Sequence, residues 1–128
     1  MKIIGQGVDM IEVDRIRKVI ERHGDRLLKR VFTDREVAYV KTHRNPYERY
    51  AGRFVAKEAV LKAFGIGWRG QIAWTDMDIQ NDVLGQPHVT LTGATAEHAD
   101  RLGVTRILLS ISHTADHAVA TALAVAEE

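Results

Sequence analysis

Pro46-Tyr47-Glu48-Arg49-Tyr50-Ala51-Gly52-Arg53-Phe54-Val55-Ala56-Lys57-Glu58-Ala59-Val60-Leu61-Lys62-Ala63-Phe64 is the stretch whose reading decides the fold. Pro46 suits the first turn of a helix and Gly65 closes it, so the pattern predicts a long helix over 46–64. With Phe54 at 0° and about 100° per residue, Leu61 falls at about 340°, Glu58 at about 40°, Ala51 at about 60°, Lys62 at about 80° and Val55 at about 100°. Glu58 and Lys62 therefore lie inside the apolar arc, four residues apart and able to face each other. Lys57, at about 300°, borders the same arc beside Phe64. Two readings stand: an ordinary surface pair on a blurred helix, or a carboxylate and a lysine held at the edge of a core for chemistry. Desolvated charges are costly unless paired or bound to a ligand.

Outward from this helix, residues 2–11 read as a Gly-punctuated strand. Asp14 is placed to cap a helix running to about His23, with Ile16, Val19 and Ile20 inward and Gly24 as its stop. Leu27, Leu28, Val31 and Phe32 suggest a further turn or two. Thr33-Asp34-Arg35-Glu36 matches a capping box, which starts another helix near Asp34, and Asn45-Pro46 breaks the chain. On the C-terminal side, 65–70 is a loop and 72–80 alternates as a strand. Gly85-Gln86-Pro87 turns the chain into a short return strand, 88–92. Residues 94–102 form a small Ala-rich helix ended by Gly103. Two strands, 104–112 and 117–126, close the chain through a turn at 113–116. Helices lead and strands follow, so the class is α+β.

The 128 residues fit one domain, 1–128, with no internal repeat or linker. A chain of this size buries roughly two-thirds of its unfolded surface. The 45% apolar and 27% charged content excludes disordered and low-complexity classes. No cysteine is present, which removes disulfides, thiolate metal sites and cysteine nucleophiles. No signal peptide and no apolar run of about 20 residues is found, so a cytoplasmic location without membrane contact is expected. The net charge of +1 hides a split: residues 1–70 hold 16 Lys and Arg against 9 Asp and Glu, and residues 71–128 hold 2 against 8. A basic surface for an anionic partner is one reading, and a self-solvating helical half is the other.

Asp9 is the second charge out of place. On a two-residue period, Ile3, Gly5, Gly7, Asp9 and Ile11 share one face of the first strand. Gly7 leaves space beside Asp9 for a ligand or another backbone. A strand-end cap for the next helix is the simpler alternative, although Glu12 and Asp14 are better placed for it. Asp9 and Glu58 together would make a two-carboxylate site of the kind that binds Mg²⁺ with substrate phosphates and water. Lys62 would then be a phosphate counter-charge. Spacing does not show that Asp9 and Glu58 meet. His113 and His117 lie across a hairpin, unsuited to a zinc pair, and no G-x-S-x-G elbow, P-loop or dinucleotide fingerprint is present.

Together these segments resemble the bacterial holo-[acyl-carrier-protein] synthases. The resemblance rests on Gly5-x-Gly7-Val8-Asp9-Met10-Ile11-Glu12-Val13-Asp14-Arg15-Ile16 and on Arg53-Phe54-Val55-Ala56-Lys57-Glu58-Ala59-Val60-Leu61-Lys62-Ala63. Asp76-Met77-Asp78-Ile79, Gly85-x-Pro87 and Ser110-Ile111-Ser112-His113-Thr114 follow in the order that family has. It covers essentially the whole chain. Gln6, where an apolar residue is common, and Trp68, in a variable loop, depart from the pattern.

The resemblance implies a 4′-phosphopantetheinyl transferase fold and the transfer of phosphopantetheine from coenzyme A to a serine of apo-acyl carrier protein in fatty acid biosynthesis. It implies Mg²⁺ on Asp9 and Glu58, with Lys62 on the pyrophosphate. Arg53 and His113 would hold the coenzyme A phosphates, His113 from a neighbouring subunit, and Gly85 and Pro87 would lie near the adenine. Arg15 and Arg22 would dock the carrier protein, and the protein would be a homotrimer with active sites between subunits. Two other classes compete. A nucleic-acid-binding module would use the basic half, but 6% aromatic content leaves few stacking platforms. A ligand-binding or structural oligomer would have no reason to bring Glu58 and Lys62 to Asp9.

Overall fold

The computed structural model describes residues 1–66 and 72–127. The order is strand β1 (Lys2–Glu12), helices α1 (Val13–His23), α2 (Asp25–Val31), α3 (Asp34–Lys41) and α4 (Pro46–Ala63), strands β2 (Met77–Asn81) and β3 (Pro87–Leu91), helix α5 (Gly93–Leu102), and strands β4 (Arg106–His113) and β5 (His117–Ala126). The expected α+β class and element order hold. Among the described residues, no helix is long and apolar enough to cross a membrane.

The terminal segments make one antiparallel sheet in the order β1-β5-β4, and β2 and β3 make a separate hairpin. Helix α4 is the centre of the molecule. One side of it packs on the sheet, and the other meets α1, α3 and the segment around β2. This explains its blurred pattern, since a helix covered on most sides keeps no clean polar face. Small residues make the sheet contact close: Ala118, Ala120, Ala122 and Ala124 of β5 and Ala56, Ala59 and Ala63 of α4 are all buried. Gly5 and Gly7 complete it. A Cβ at Gly7 would stand 2.1 Å from the Ala59 carbonyl oxygen, and one at Gly5 would stand 2.1 Å from that of Ala63. The space beside Asp9 is filled by another backbone, that of α4.

Three local expectations change. Ile3 does not share the inner face with Gly5. The pairing runs Ile3 with Val125 and then Gly5 with Ala124, so Ile4 is an extra residue in β1. The bulge turns Ile3 outward, 58% exposed, and sends Ile4 against the core. Asp14 does not cap α1. Glu12 occupies the N-cap without a side-chain bond, and Asp14 pairs with Arg17 and Lys18 on the helix surface. The strand expected over 72–80 begins only at Met77. Before it, Trp74–Asp76 forms a 3-10 turn, and Asp76 accepts hydrogen bonds from Ala73 N, Thr95 N and Thr95 Oγ1, tying the turn to α5. The capping box is present: Thr33 Oγ1 accepts from Glu36 N at 3.1 Å, and Glu36 Oε1 accepts from Thr33 N at 2.8 Å. Most of the 65–70 loop, with Trp68, lies outside the described residues.

The sheet's second face carries exposed apolar side chains. Ile3, Val8 and Met10 of β1 project from it and are more than half exposed, at 58%, 55% and 65%.

Candidate active site

The close approach of α4 to β1 brings the two carboxylates to one place. Asp9 and Glu58 both line a cleft of ≈ 430 Å³. Arg15 of α1 lines it as well, and its remaining wall is apolar, from Ile16, Val19, Leu27, Phe32 and Phe54 among others. Lys62, one turn past Glu58, reaches over β1, where its Nζ donates to Asp9 Oδ1 at 3.1 Å and to the Val8 carbonyl at 3.0 Å. Lys62 thus faces Asp9 across the strand.

Burial pushes the Glu58 carboxyl above the ordinary glutamate value, the negative charge of Asp9 pushes the same way, and Lys62 partly opposes both. Two hard carboxylates that repel each other in a half-buried cleft are a donor set suited to a hard divalent cation. Among the described residues, no third His, Asp or Glu joins them as a metal-binding cluster. The remaining ligands of such an ion would be water and substrate oxygens.

The other expected site residues lie elsewhere in the chain. Arg53 is buried, its guanidinium 4.1 Å from the Tyr39 ring centroid and 3.4 Å from Asn81 Oδ1. Among the described residues its Nε has no hydrogen-bond partner. His113 ends β4, with Nδ1 3.7 Å from Glu48 Oε1 on the first turn of α4. Gly85 closes the β2–β3 turn with φ 86°, and Pro87 opens β3 and lines a groove between β3, α5 and β4. On α1, Asp14 takes Arg17 and Lys18, while Arg15 and Arg22 make no ion pair among the described residues. Seven residues apart, they share one helix face.

The family model of the 4′-phosphopantetheinyl transferase superfamily matches residues 5–122. The chain belongs to that superfamily. A holo-[acyl-carrier-protein] synthase of Solibacter usitatus is 51% identical to this transferase-family chain over 113 residues, 88% of this chain and 90% of that protein. The crystal structure of the holo-[acyl-carrier-protein] synthase from Neisseria meningitidis superposes with a TM-score of 0.88 at 31% identity, covering 96% of this chain and 98% of that one. The Bacillus anthracis synthase, solved in complex with CoA (3′,5′-ADP), superposes at 0.82 with 30% identity, covering 99% of this chain and 100% of that one.

The sequence missed one pair. Lys57 and Glu36 form an ion pair of 2.6 Å with both side chains fully buried. On the helical wheel Lys57 borders the apolar arc and Lys62 lies inside it. In the fold Lys57 is the buried one, and the Lys62 side chain is 50% exposed. Glu36 as the third residue of a capping box, facing a lysine on an apolar helix, was the available signal.

Proposed function

We propose that this protein transfers the 4′-phosphopantetheine group from coenzyme A to a serine of apo-acyl carrier protein. The products are holo-acyl carrier protein and adenosine 3′,5′-bisphosphate, and the reaction serves fatty acid biosynthesis in the cytoplasm. The observation that carries this reading is the meeting of Asp9 and Glu58 in one partly apolar cleft beside Arg15, with Lys62 paired to Asp9 from the strand's side, in a chain of this superfamily.

The chemistry asks for positioning and charge neutralisation. Asp9 and Glu58 would hold Mg²⁺, which supplies charge compensation at the pyrophosphate when bound. Lys62 places its ammonium against the same phosphates and offsets charge building on the leaving group. The carrier serine Oγ attacks the phosphorus that bears pantetheine, in line with the leaving oxygen. Its proton passes to a water hydrogen-bonded to the Asp9 or Glu58 carboxylate. Arg53 and His113 hold coenzyme A phosphates, and Gly85 and Pro87 flank the adenine.

Arg53, His113 and the β2–β3 turn have partners other than the cleft's carboxylates within one chain. This favours a homotrimer in which His113 serves the site of a neighbour. The exposed Ile3, Val8 and Met10 supply an apolar face for that assembly. Arg15 and Arg22, free of ion pairs among the described residues, dock the acidic carrier.

The deciding experiment is mass spectrometry of apo-acyl carrier protein incubated with this protein, coenzyme A and Mg²⁺, with and without EDTA. A gain of one phosphopantetheine that EDTA abolishes is expected. No gain with several carriers, and with Mn²⁺ tried, overturns the reading.

A further inference from the structure

The buried Lys57–Glu36 pair stands outside the chemistry described above, yet it is joined to four parts of the fold. All three N–H groups of Lys57 Nζ have acceptors: the Val31 carbonyl at 2.7 Å, Glu36 Oε1 at 2.6 Å and the Trp74 carbonyl at 3.2 Å. Glu36 is equally engaged, with Oε1 also accepting from Thr33 N and Oε2 accepting from Ile79 N at 2.8 Å. One ammonium on α4 thereby ties down the end of α2, the start of α3, the 3-10 turn and, through Glu36, strand β2.

The tie to Val31 bears on the site. Leu27, Val31 and Phe32 form the α2 wall of the cleft that holds Asp9 and Glu58. Helix α2 has only seven residues, too short to hold its place by its own hydrogen bonds. Glu58 is the residue next to Lys57. The same short segment of α4 therefore carries the carboxylate and the anchor of the wall opposite it. Burying an ion pair is a poor way to gain stability, since an apolar pair of equal volume often does as well or better. What an apolar pair cannot do is hold three carbonyl and carboxylate acceptors at fixed directions.

The geometry points to Lys57, oriented by Glu36, as a positioning residue for the transfer: it fixes the α2 wall of the cleft relative to Glu58. This rests on the activity proposed above. The occupant of the cleft then meets a rigid apolar wall at a set distance from the carboxylates.

The test compares wild type with Lys57→Met, Glu36→Gln and the double variant Lys57→Met/Glu36→Gln, which puts a neutral pair of similar volume in the same place. Folded fraction is measured by circular dichroism and activity is counted per folded molecule. Lys57→Met and the double variant are expected to lose about tenfold or more in kcat with KM for coenzyme A within about twofold, the loss that misplacement by a fraction of an ångström produces. Amides of Leu28 to Phe32 are expected to exchange faster with deuterium, while the middle of α4 keeps its protection. Glu36→Gln, which retains an acceptor for the backbone, is expected to fall between. A folded double variant with wild-type kcat and unchanged α2 protection overturns the proposal and leaves the pair a structural filler. If Lys57→Met does not fold, the other two variants decide by the same readouts. If wild type itself moves no phosphopantetheine, the reading of the activity fails separately. The exchange measurement then settles whether Lys57 holds α2.

Discussion

Lys62 Nζ lies 3.1 Å from Asp9 Oδ1, an ion pair that bridges the central helix and the first strand across 53 residues of sequence. It joins the two elements at the place where Glu58 faces the same cleft. Replacing Lys62 by Met removes the counter-charge proposed for the pyrophosphate. Steady-state kinetics should show kcat falling by about a hundredfold, the order of one lost preorganised electrostatic contact. Lys62→Arg should restore part of it. Unchanged kcat in Lys62→Met would sink the assignment.

Glu58 is held above its ordinary ionisation range by burial and by Asp9, so its charge is a cost to the metal-free fold. Glu58→Gln should raise the Tm of the EDTA-treated protein by about 2–5 °C while abolishing transfer. Millimolar Mg²⁺ should raise the Tm of wild type and leave that of Glu58→Gln unmoved, because only a ligand of the native state shifts the transition. A Mg²⁺ response retained by the variant would remove Glu58 from the metal site.

Gly7 faces the Ala59 carbonyl oxygen, where an added Cβ would stand 2.1 Å away. Gly7→Ala should cost about 3 kcal/mol by denaturant titration, the upper range for overpacking against a backbone that cannot yield. A variant as stable as wild type would mean that α4 moves off the strand more easily than this packing allows.

The β2–β3 turn is built on Asp82, whose Oδ1 accepts from Leu84 N and Gln86 N and whose Oδ2 lies 2.9 Å from His88 Nε2. The His88 hydrogen bond, aided by the backbone donors, holds the Asp82 carboxyl below the ordinary aspartate range. A depressed acid contributes stability above its unfolded value and loses it as pH falls through the folded one. Protection factors of the turn amides, corrected for intrinsic exchange at each pH, should therefore be steady above about pH 4 and fall below it, and Asp82→Asn should remove that acid limb. An identical acid profile in the variant would refute the role.

Arg15 and Arg22 share one face of α1 and make no ion pair among the described residues. Arg22→Glu should raise KM for the carrier protein and flatten its dependence on salt between 50 and 300 mM, a range over which the Debye length falls below about 10 Å. A salt dependence equal to wild type would place the carrier elsewhere.

What the sequence disclosed and what it withheld follow one physical division. The capping box at Thr33 and Glu36, the Pro46 start of α4 and the β4–β5 hairpin depend on residues near one another in the chain, and they were legible. The Ile4 bulge was not, because an extra residue in a strand shows only against the partner strand. The 3-10 turn before β2 was not, because the alternation of 72–80 hid that Asp76 is claimed by Thr95, nineteen residues away. For the site, the residue type and angle of Glu58 and Lys62 singled them out. The wheel could not rank Lys57 against Lys62, since burial depends on what stands opposite. Lys57 meets Glu36 and the turn before β2, whereas Lys62 extends over an edge strand into solvent.

The bulge at Ile4 also isolates the site from the end of the chain. Beyond it only Lys2 and Ile3 pair with β5, and from Gly5 onward every residue keeps its own partner. A misalignment of those first two rungs is absorbed at the extra residue and never reaches Asp9. The first two rungs can therefore shift in register without retuning the carboxylate seven positions downstream of Lys2.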